Sequence, residues 1–199
     1  MDIADLLVRM AVWSVQAVGI VWLVTAAWFA AVRRDSLGGK LRHFLSTLLP
    51  EPWMIVGIVV LLVAIHQLPQ SIWNHVSWQN AAVQSIGAII VIAGAALMIW
   101  ARLALGAMWA GRPMIQQEHR LHTGGPYRFA RHPIYTGILG VMFGLILIDG
   151  FGASVIVFAF VLAWLLHRVR VEDDMLIATF GDDYRDYRER VRALVPLPR

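Results

Sequence analysis

Five long apolar stretches constrain this chain more than any other feature of its sequence. They lie at about residues 6–32, 53–68, 83–109, 135–148 and 151–166. A helix needs about 20 apolar residues to cross the hydrocarbon of a bilayer, and in lipid the backbone must satisfy its own hydrogen bonds. The sequence therefore predicts an all-α integral membrane protein with about five transmembrane helices.

The composition agrees with a membrane protein. Of the 199 residues, 59% are hydrophobic and only 15% are charged, which is not the balance of a soluble domain. The chain has no cysteine, so disulfides, thiolate metal sites and a cysteine nucleophile are excluded. Because the sequence contains neither an obvious internal repeat nor a low-complexity linker, we expect residues 1–199 to form a single domain.

Basic residues are unevenly distributed between the connecting segments. Lysine and arginine are concentrated at 33–42, at 102–131 and in the tail after residue 166, and are absent from 69–82 and from Asp149-Gly150. Cytoplasmic loops collect Lys and Arg, so the amino terminus is predicted to face outward and the basic segments to face the cytoplasm. The net charge of +4 is explained by basic cytoplasmic loops and by the attraction of basic residues to anionic lipid headgroups. We expect no nucleic-acid partner, because the arginines are not interleaved with an exposed aromatic platform.

Two polar islands interrupt the apolar sequence. The first, residues 116–135, contains a Gly-Pro turn and the side chains His119, His122, Tyr127, Arg131, His132 and Tyr135. The second begins where the last apolar stretch ends, with Arg168 and Glu172 four positions apart, a spacing that places both on one face of a helix. Polar groups beside a membrane usually serve a ligand. We therefore expect the two islands to form one site on the cytoplasmic side.

The tail and the glycines give further local expectations. The chain from about 167 to 193 is predicted to continue as helix with a break at Gly181, and to end in an amphipathic helix along the cytoplasmic face. Gly87, Gly94 and Gly106 are expected to permit close packing between helices.

The order of motifs over residues 98–199 resembles the isoprenylcysteine carboxyl methyltransferase family and the related phospholipid methyltransferases. The matching elements are GGPYRFARHPIYTG from Gly124, R-x-x-x-E-D from Arg168, and FGDDYRDYRERV-x-x-x-VP from Phe180. The acidic run beside Glu172 is only Glu172-Asp173-Asp174, shorter than in the family's eukaryotic members. This departure leaves open whether Glu172 or Asp173 is the main cofactor carboxylate.

The resemblance implies a membrane methyltransferase that uses S-adenosylmethionine. The chain has no G-x-G-x-x-G motif, so a cofactor site without a Rossmann domain is expected. By resemblance, the catalytic half is about 98–199, Arg168 faces the acceptor and Glu172 closes the site. The residues that the resemblance places around the cofactor are Gln116, His119, Arg120, Leu121, His122, Tyr127, His132, Pro133, Ile134, Tyr135 and Glu172.

The chemistry of these residue types fits the implied reaction. The donor is a sulfonium cation with an ammonium, a carboxylate, a ribose diol and an adenine, which calls for one carboxylate and several hydrogen-bonding groups. The faces of Tyr127 and Tyr135 can stabilise a cation by about 0.5–2 kcal/mol each. The expected acceptor is lipophilic or lipid-anchored and enters from the bilayer. A carboxylate of an isoprenylcysteine-like or other isoprenoid or lipid substrate is already ionised at neutral pH and needs no general base.

Several alternatives remain open at this point. The sterol-type reductases, which use NADPH, share an Arg-His-Pro-x-Tyr element, and phospholipid amines, phenols or a non-enzymatic role are also compatible with the scaffold. The spacing of His119 and His122 is compatible with a metal, although we expect none. Arg120, Arg128 and Arg131 can instead be topology determinants that reach headgroups. Arg168 and Glu172 can instead be a structural pair worth about 0.3–0.5 kcal/mol.

Overall fold

The computed structural model describes residues 3–32, 38, 52–67, 80–106, 121–150 and 152–194. The elements are α1 (Ile3–Val32), α2 (Pro52–His66), α3 (Ala81–Leu105), a 3-10 turn (Gly125–Arg128), α4 (Pro133–Asp149), α5 (Ser154–Phe180) and α6 (Asp182–Arg190). Each of these elements is helical, so the predicted all-α class is confirmed.

Three helices are long and apolar enough to cross a membrane, namely Ile3–Trp28 within α1, Ala81–Leu105 and Ser154–Phe180. Two further apolar helices are shorter, Val56–His66 within α2 and Pro133–Asp149. The assignment to the membrane is thus confirmed. The count of five spans stays a prediction, because the two shorter helices require tilt or local thinning of the bilayer to reach across it.

The end of α3 differs from the extent of its apolar stretch, whereas the end of α5 agrees with the sequence prediction. α3 ends at Leu105 and not near 109, because Gly106 adopts a φ of 53° and its N–H bonds to the Arg102 carbonyl. Gly106 thus terminates a helix, and the packing role predicted for it stays a prediction. α5 continues without interruption through the end of the apolar stretch to Phe180, and the predicted break at Gly181 is confirmed by its φ of 56°.

Glycines hold α3 and α4 in close contact. A Cβ added to Gly87 would lie 2.6 Å from the Gly144 carbonyl oxygen, and one added to Gly94 would lie 2.9 Å from the Gly137 carbonyl oxygen. Van der Waals contact is a main source of helix association in lipid, so such close approach favours this pair. The packing roles predicted for Gly87 and Gly94 are confirmed. α1 adds to the same core through Ala11, which packs with residues of α3.

The tail after α6 holds the segment that leads into α4. The backbone N–H of Arg131 donates to the Arg192 carbonyl and that of His132 donates to the Ala193 carbonyl, both at 2.9 Å. The Thr136 hydroxyl donates to the Leu194 carbonyl at 2.5 Å. Pro133 then begins α4, a position where its missing N–H costs nothing. The predicted placement of the last helix along the membrane surface stays a prediction.

Candidate active site

Arg168 and Glu172 lie on one face of α5, as their spacing predicted. The Arg168 Nη2 atom donates to Glu172 Oε1 at 2.7 Å. Tyr135, in the first turn of α4, donates its hydroxyl to the same carboxylate oxygen and accepts from Arg168 Nε at 3.1 Å. The structure thus brings the two polar islands together, in a triangle of three side chains.

His132 joins this triangle to a second carboxylate. Its Nδ1 atom lies 3.3 Å from Glu172 Oε2 and its Nε2 atom lies 3.0 Å from Asp173 Oδ1. Ionised carboxylates only accept hydrogen bonds, so both ring nitrogens can donate only when the imidazole is protonated. Burial disfavours that charge, but the hydrogen bonds to Asp173 and Glu172 outweigh it and raise the pKa of His132 above its usual value. The ring also stacks parallel to that of Tyr135, with centroids 5.5 Å apart.

Asp173 is the more enclosed of the two carboxylates. It accepts from Arg131 Nη2 at 2.7 Å and from the hydroxyl of Tyr184, in addition to its contact with His132. Tyr184 belongs to α6, so Asp173 ties the end of α5 to the tail helix. Burial and the hydrogen bond to this carboxylate together raise the pKa of Tyr184, which keeps its hydroxyl protonated as a donor.

Glu172 is more accessible than Asp173 and is less fully bonded. Its side chain is 17% exposed, whereas that of Asp173 is 6% exposed. Within the described part of the chain, Glu172 Oε2 faces a single polar partner, the His132 ring at 3.3 Å. An ionised carboxylate offers about four lone-pair sites, so Glu172 can accept a further donor from a ligand. Glu172 is thus the carboxylate with more room for a ligand, and its assignment as the main cofactor carboxylate stays a prediction.

Tyr127 lies in the protein interior beside this cluster. Its ring packs with Ala101 of α3 and Ile134 of α4, and its hydroxyl lies 3.4 Å from the Ala101 carbonyl oxygen. Burial raises the pKa of Tyr127, so the phenol stays neutral. His122 meets the Tyr127 ring edge-on, with centroids 5.3 Å apart. These contacts give Tyr127 a packing role between two helices, and its predicted contact with the cofactor stays a prediction.

Apart from Tyr127, the predicted site residues fall into three groups. His132, Tyr135, Arg168 and Glu172 are in direct contact, and Pro133 and Ile134 are buried in the turn between two of them. Leu121 and His122 are half-buried in the segment before the 3-10 turn. Gln116, His119 and Arg120 lie outside the described residues. In the described ranges, no group of three or more His, Cys, Asp or Glu residues is arranged to hold a metal.

Two arginines are buried in the structure. Arg131, a member of the first polar island, is paired with Asp173, and its Nη1 donates to the Arg188 carbonyl at 3.2 Å, which excludes the alternative that it reaches headgroups. Arg102, counted only as a loop charge, is 1% exposed at the end of α3 and donates to the Gly106 carbonyl at 2.9 Å. The sequence contains the adjacent acids Glu172-Asp173 and the adjacent pair Arg131-His132, but their alignment is visible only in the structure.

Sequence comparisons find similarity to methyltransferases. Residues 85–178 match the family model described as the isoprenylcysteine carboxyl methyltransferase (ICMT) family. The chain is 34% identical to the protein-S-isoprenylcysteine O-methyltransferase of Schizosaccharomyces pombe over 82 residues, which are 41% of this chain and 35% of that protein. It is 32% identical to the methanethiol S-methyltransferase of Mycobacterium tuberculosis over 91 residues, which are 45% of this chain and 35% of that protein. The chain thus spans about a third of the length of these curated relatives.

A solved structure shares the fold. The eukaryotic intramembrane Ras methyltransferase ICMT aligns with 100% of this chain and 88% of its own, at a TM-score of 0.52 and 18% sequence identity. At this identity the likeness concerns the fold alone, and it agrees with a helical membrane architecture.

Proposed function

We propose that this chain is an S-adenosylmethionine-dependent membrane methyltransferase whose acceptor is a lipophilic carboxylate, because residues 85–178 match the isoprenylcysteine carboxyl methyltransferase family. The observation that carries this proposal is the buried cluster of Arg168, Glu172, Tyr135 and His132. It lies where the apolar part of α5 gives way to charged residues, and inside the range that matches the family. Such a cluster has the charges that a cationic donor and an anionic acceptor require.

The side chains of the cluster fit the implied cofactor. S-adenosylmethionine supplies, when bound, a methyl group made electrophilic by its sulfonium sulfur. Glu172 has an oxygen with room for a further donor, such as an ammonium or a ribose hydroxyl. The ring of Tyr135 belongs to the cluster, and an aromatic face beside a cation is stabilising. His132, Tyr135 and Glu172 are therefore the described residues that would hold the cofactor.

Arg168 is suited to orient the acceptor. Its side chain is 5% exposed, and its guanidinium carbon lies 5.4 Å from the ring centroid of Trp164 and 6.0 Å from that of Tyr135. The ion pair with Glu172 and these two rings hold the guanidinium in one orientation before an acceptor arrives. A planar guanidinium can grip a carboxylate at two points, which fixes the direction of the attacking oxygen.

The proposed reaction needs alignment and no proton transfer. A bond forms between an acceptor carboxylate oxygen and the methyl carbon, while the bond between that carbon and the sulfur breaks. The products are an ester and a thioether, so one negative and one positive charge disappear together. Arg168 would then hold the acceptor only until its charge is neutralised, which favours release of the product.

The lipophilic acceptor is proposed to enter from the bilayer, and the chain is proposed to act as one domain. We also propose that the amino terminus faces outward and the cluster faces the cytoplasm, in the inner membrane if the source is prokaryotic. The distribution of lysine and arginine supports this orientation. It would place the carboxylate head of an acceptor at the level of Arg168 and its apolar part in lipid.

A thiol acceptor is the second candidate, since the likeness to the methanethiol S-methyltransferase covers 45% of this chain. A thiolate is also an anion that Arg168 could orient. Unlike a carboxylate, a thiol has a pKa of about 8.5, so its methylation would rise with pH across neutrality. The pH dependence of turnover therefore distinguishes the two acceptors.

Ligand-dependent thermal stabilisation tests the proposed cofactor. The full chain, purified in detergent, is heated with S-adenosylmethionine, with S-adenosylhomocysteine or with NADPH. A ligand that binds only the folded state at 100 times its dissociation constant stabilises by about 2.7 kcal/mol. We expect both S-adenosyl compounds to raise the melting temperature and NADPH to leave it unchanged. Stabilisation by NADPH alone would assign the cluster to a reductase.

A further inference from the structure

A cavity of about 380 Å³ lies at the opposite ends of the helices from the Arg168 cluster. Its walls come from the first turns of α1 and α3 and the last turn of α4, and they include Asp5, Arg9, Gln84 and Asp149. α4 has 17 residues between His132 at its start and Gly150 at its end, so the cavity lies about 25 Å from the cluster. The two sites therefore cannot share one small ligand.

The charged residues of the cavity are unusual for the helices that carry them. Asp5 and Arg9 are the charged residues of α1, and Asp149 is the charged residue of α4. Asp5, Arg9 and Asp149 are exposed and lie near helix ends, where charged side chains can reach the headgroup layer. The charged residues of α1 and α4, which are otherwise apolar, thus line the same cavity.

The cavity residues do not neutralise one another. Asp5 and Arg9 are four positions apart on α1, yet Asp5, Arg9 and Asp149 form no ion pair within the described part of the chain. Gln84 donates its amide to the Ile148 carbonyl at 3.2 Å, which leaves its own carbonyl oxygen as an acceptor. The cavity thus offers two carboxylates and an amide oxygen to a cation, and one guanidinium to an anion.

We propose that this cavity binds the headgroup of a zwitterionic phospholipid with a primary ammonium, of the phosphatidylethanolamine type. The ammonium would lie between Asp5 and Asp149, and the phosphate would pair with Arg9. Its volume is within the range of about 300–1,000 Å³ that small-molecule sites occupy. The half-buried Val8 and the buried Ile148 supply an apolar wall where the acyl chains leave the headgroup.

The position of the cavity favours a lipid over a soluble molecule with the same charges. Each wall is the end of an apolar helix, so the charged side chains lie where such helices meet the headgroup layer. The lipid would be a structural ligand that ties α1 to α4, and not a methyl acceptor, because of the distance to Arg168. The proposal does not depend on the proposed methyl transfer.

Native mass spectrometry and thermal stability of the detergent-purified full chain test the proposal. The protein is titrated separately with phosphatidylethanolamine, phosphatidylcholine, phosphatidylglycerol and soluble O-phosphoethanolamine. Phosphatidylcholine keeps the phosphate but its quaternary ammonium cannot donate hydrogen bonds, and phosphatidylglycerol has no amine. We expect phosphatidylethanolamine to bind at least tenfold more tightly than either other lipid, since hydrogen bonds to charged groups add about 1.5–3 kcal/mol.

Three variants test whether phosphatidylethanolamine binds in this cavity. Asp149→Asn and Arg9→Gln should each reduce the affinity for phosphatidylethanolamine roughly tenfold, because each removes one charged partner. Asp186→Asn makes the same change as Asp149→Asn at an exposed position of α6, and should bind like the wild type. Equal affinities for the three lipids, or wild-type affinity in both cavity variants, would overturn the proposal. Binding of O-phosphoethanolamine without binding of the lipid would assign the cavity to a soluble ligand and would also overturn it.

Discussion

Arg168 donates from Nε to the hydroxyl of Tyr135 at 3.1 Å, although 33 positions separate the two residues. This contact connects α5 to α4, and it connects the second polar island to the first. Tyr135 also donates to Glu172, which Arg168 itself contacts. The phenol therefore contacts both the proposed acceptor-binding residue and the proposed cofactor-binding residue, which are also paired directly.

Tyr135→Phe removes this hydroxyl and keeps the ring. We expect methyl transfer to fall about tenfold to a hundredfold, because Arg168 and Glu172 each lose a partner worth about 1–3 kcal/mol. The measurement is the turnover rate, together with the melting temperature. Tyr184→Phe is the matched control, since it removes a hydroxyl bonded to Asp173 and not to Glu172. It should lower the melting temperature and change turnover less than Tyr135→Phe; the reverse order would remove Tyr135 from the proposed site.

Removing the charge of Glu172 should affect cofactor binding, whereas removing that of Asp173 should affect stability. Glu172→Gln is expected to weaken S-adenosylmethionine binding at least tenfold in calorimetry, with the protein still folded, since a charge-assisted hydrogen bond is lost. Asp173→Asn is expected to lower stability by about 3–5 kcal/mol, because it leaves buried Arg131 without its charged partner. If Asp173→Asn weakened cofactor binding more than Glu172→Gln while the protein remained folded, the assignment of the two roles would be reversed.

The protonation of His132 predicts how stability depends on pH. The pKa of His132 in the folded protein is raised above 6.5, so its contribution to stability is complete below about pH 6.5. It is lost as the pH rises through the folded pKa, because the folded state then gives up the proton that it held more tightly. The melting temperature of the wild type should therefore fall as the pH rises above about 6.5.

The control for this pH effect is His132→Gln, which can hydrogen-bond but does not titrate. Its melting temperature should be lower than that of the wild type at pH 6 and should depend less on pH above that value. Parallel curves for the two proteins would mean that another group causes the pH dependence.

The absence of native cysteine allows a direct test of the orientation. Single cysteines at Ser36 and at Ser77, which lie outside the described residues, should be labelled by an impermeant thiol reagent from opposite sides of the membrane. The charge distribution places Ser36 in the cytoplasm and Ser77 outside. Labelling of both positions from one side would contradict the proposed topology.

The sequence predicted those features of the fold and of the site that depend on a single physical constraint. Apolar length located the helices, since the backbone has few alternatives in lipid, and the four-residue spacing of Arg168 and Glu172 placed them on one face. The apolar stretch continues to about residue 109, beyond the end of α3 at Leu105, because apolar length does not show where Gly106 adopts a positive φ. A glycine that packs and a glycine that terminates a helix look alike in sequence, and only the φ of 53° distinguishes them.

The tertiary environment of charged residues was harder to predict. Arg131 and Asp173 are separated by 42 positions, so no local pattern showed that they pair. The roles of Tyr184 and Tyr187 depend on the tail folding back: the hydroxyl of Tyr187 donates to the Tyr127 carbonyl at 2.5 Å. The choice between Glu172 and Asp173 likewise required the side-chain partners of each, which differ although the residues are adjacent.

The central claim is that this chain transfers a methyl group to a lipophilic carboxylate that Arg168 orients. Arg168→Lys keeps the charge but loses the planar two-point grip, so the acceptor would be misaligned. Misalignment at the reacting atoms can cost about a hundredfold or more in rate. Affinity for S-adenosylmethionine should change little, because Glu172 and His132 remain.

Mass spectrometry of the acceptor tests this claim most directly. The full chain is incubated with S-adenosylmethionine and a prenylated cysteine, and the methyl ester of the same compound serves as the control without a free carboxylate. We predict that the free acid gains one methyl group, that the ester gains none, and that Arg168→Lys slows the gain at least a hundredfold with wild-type cofactor affinity. Full activity of Arg168→Lys, or methylation of the ester as fast as the acid, would contradict the account.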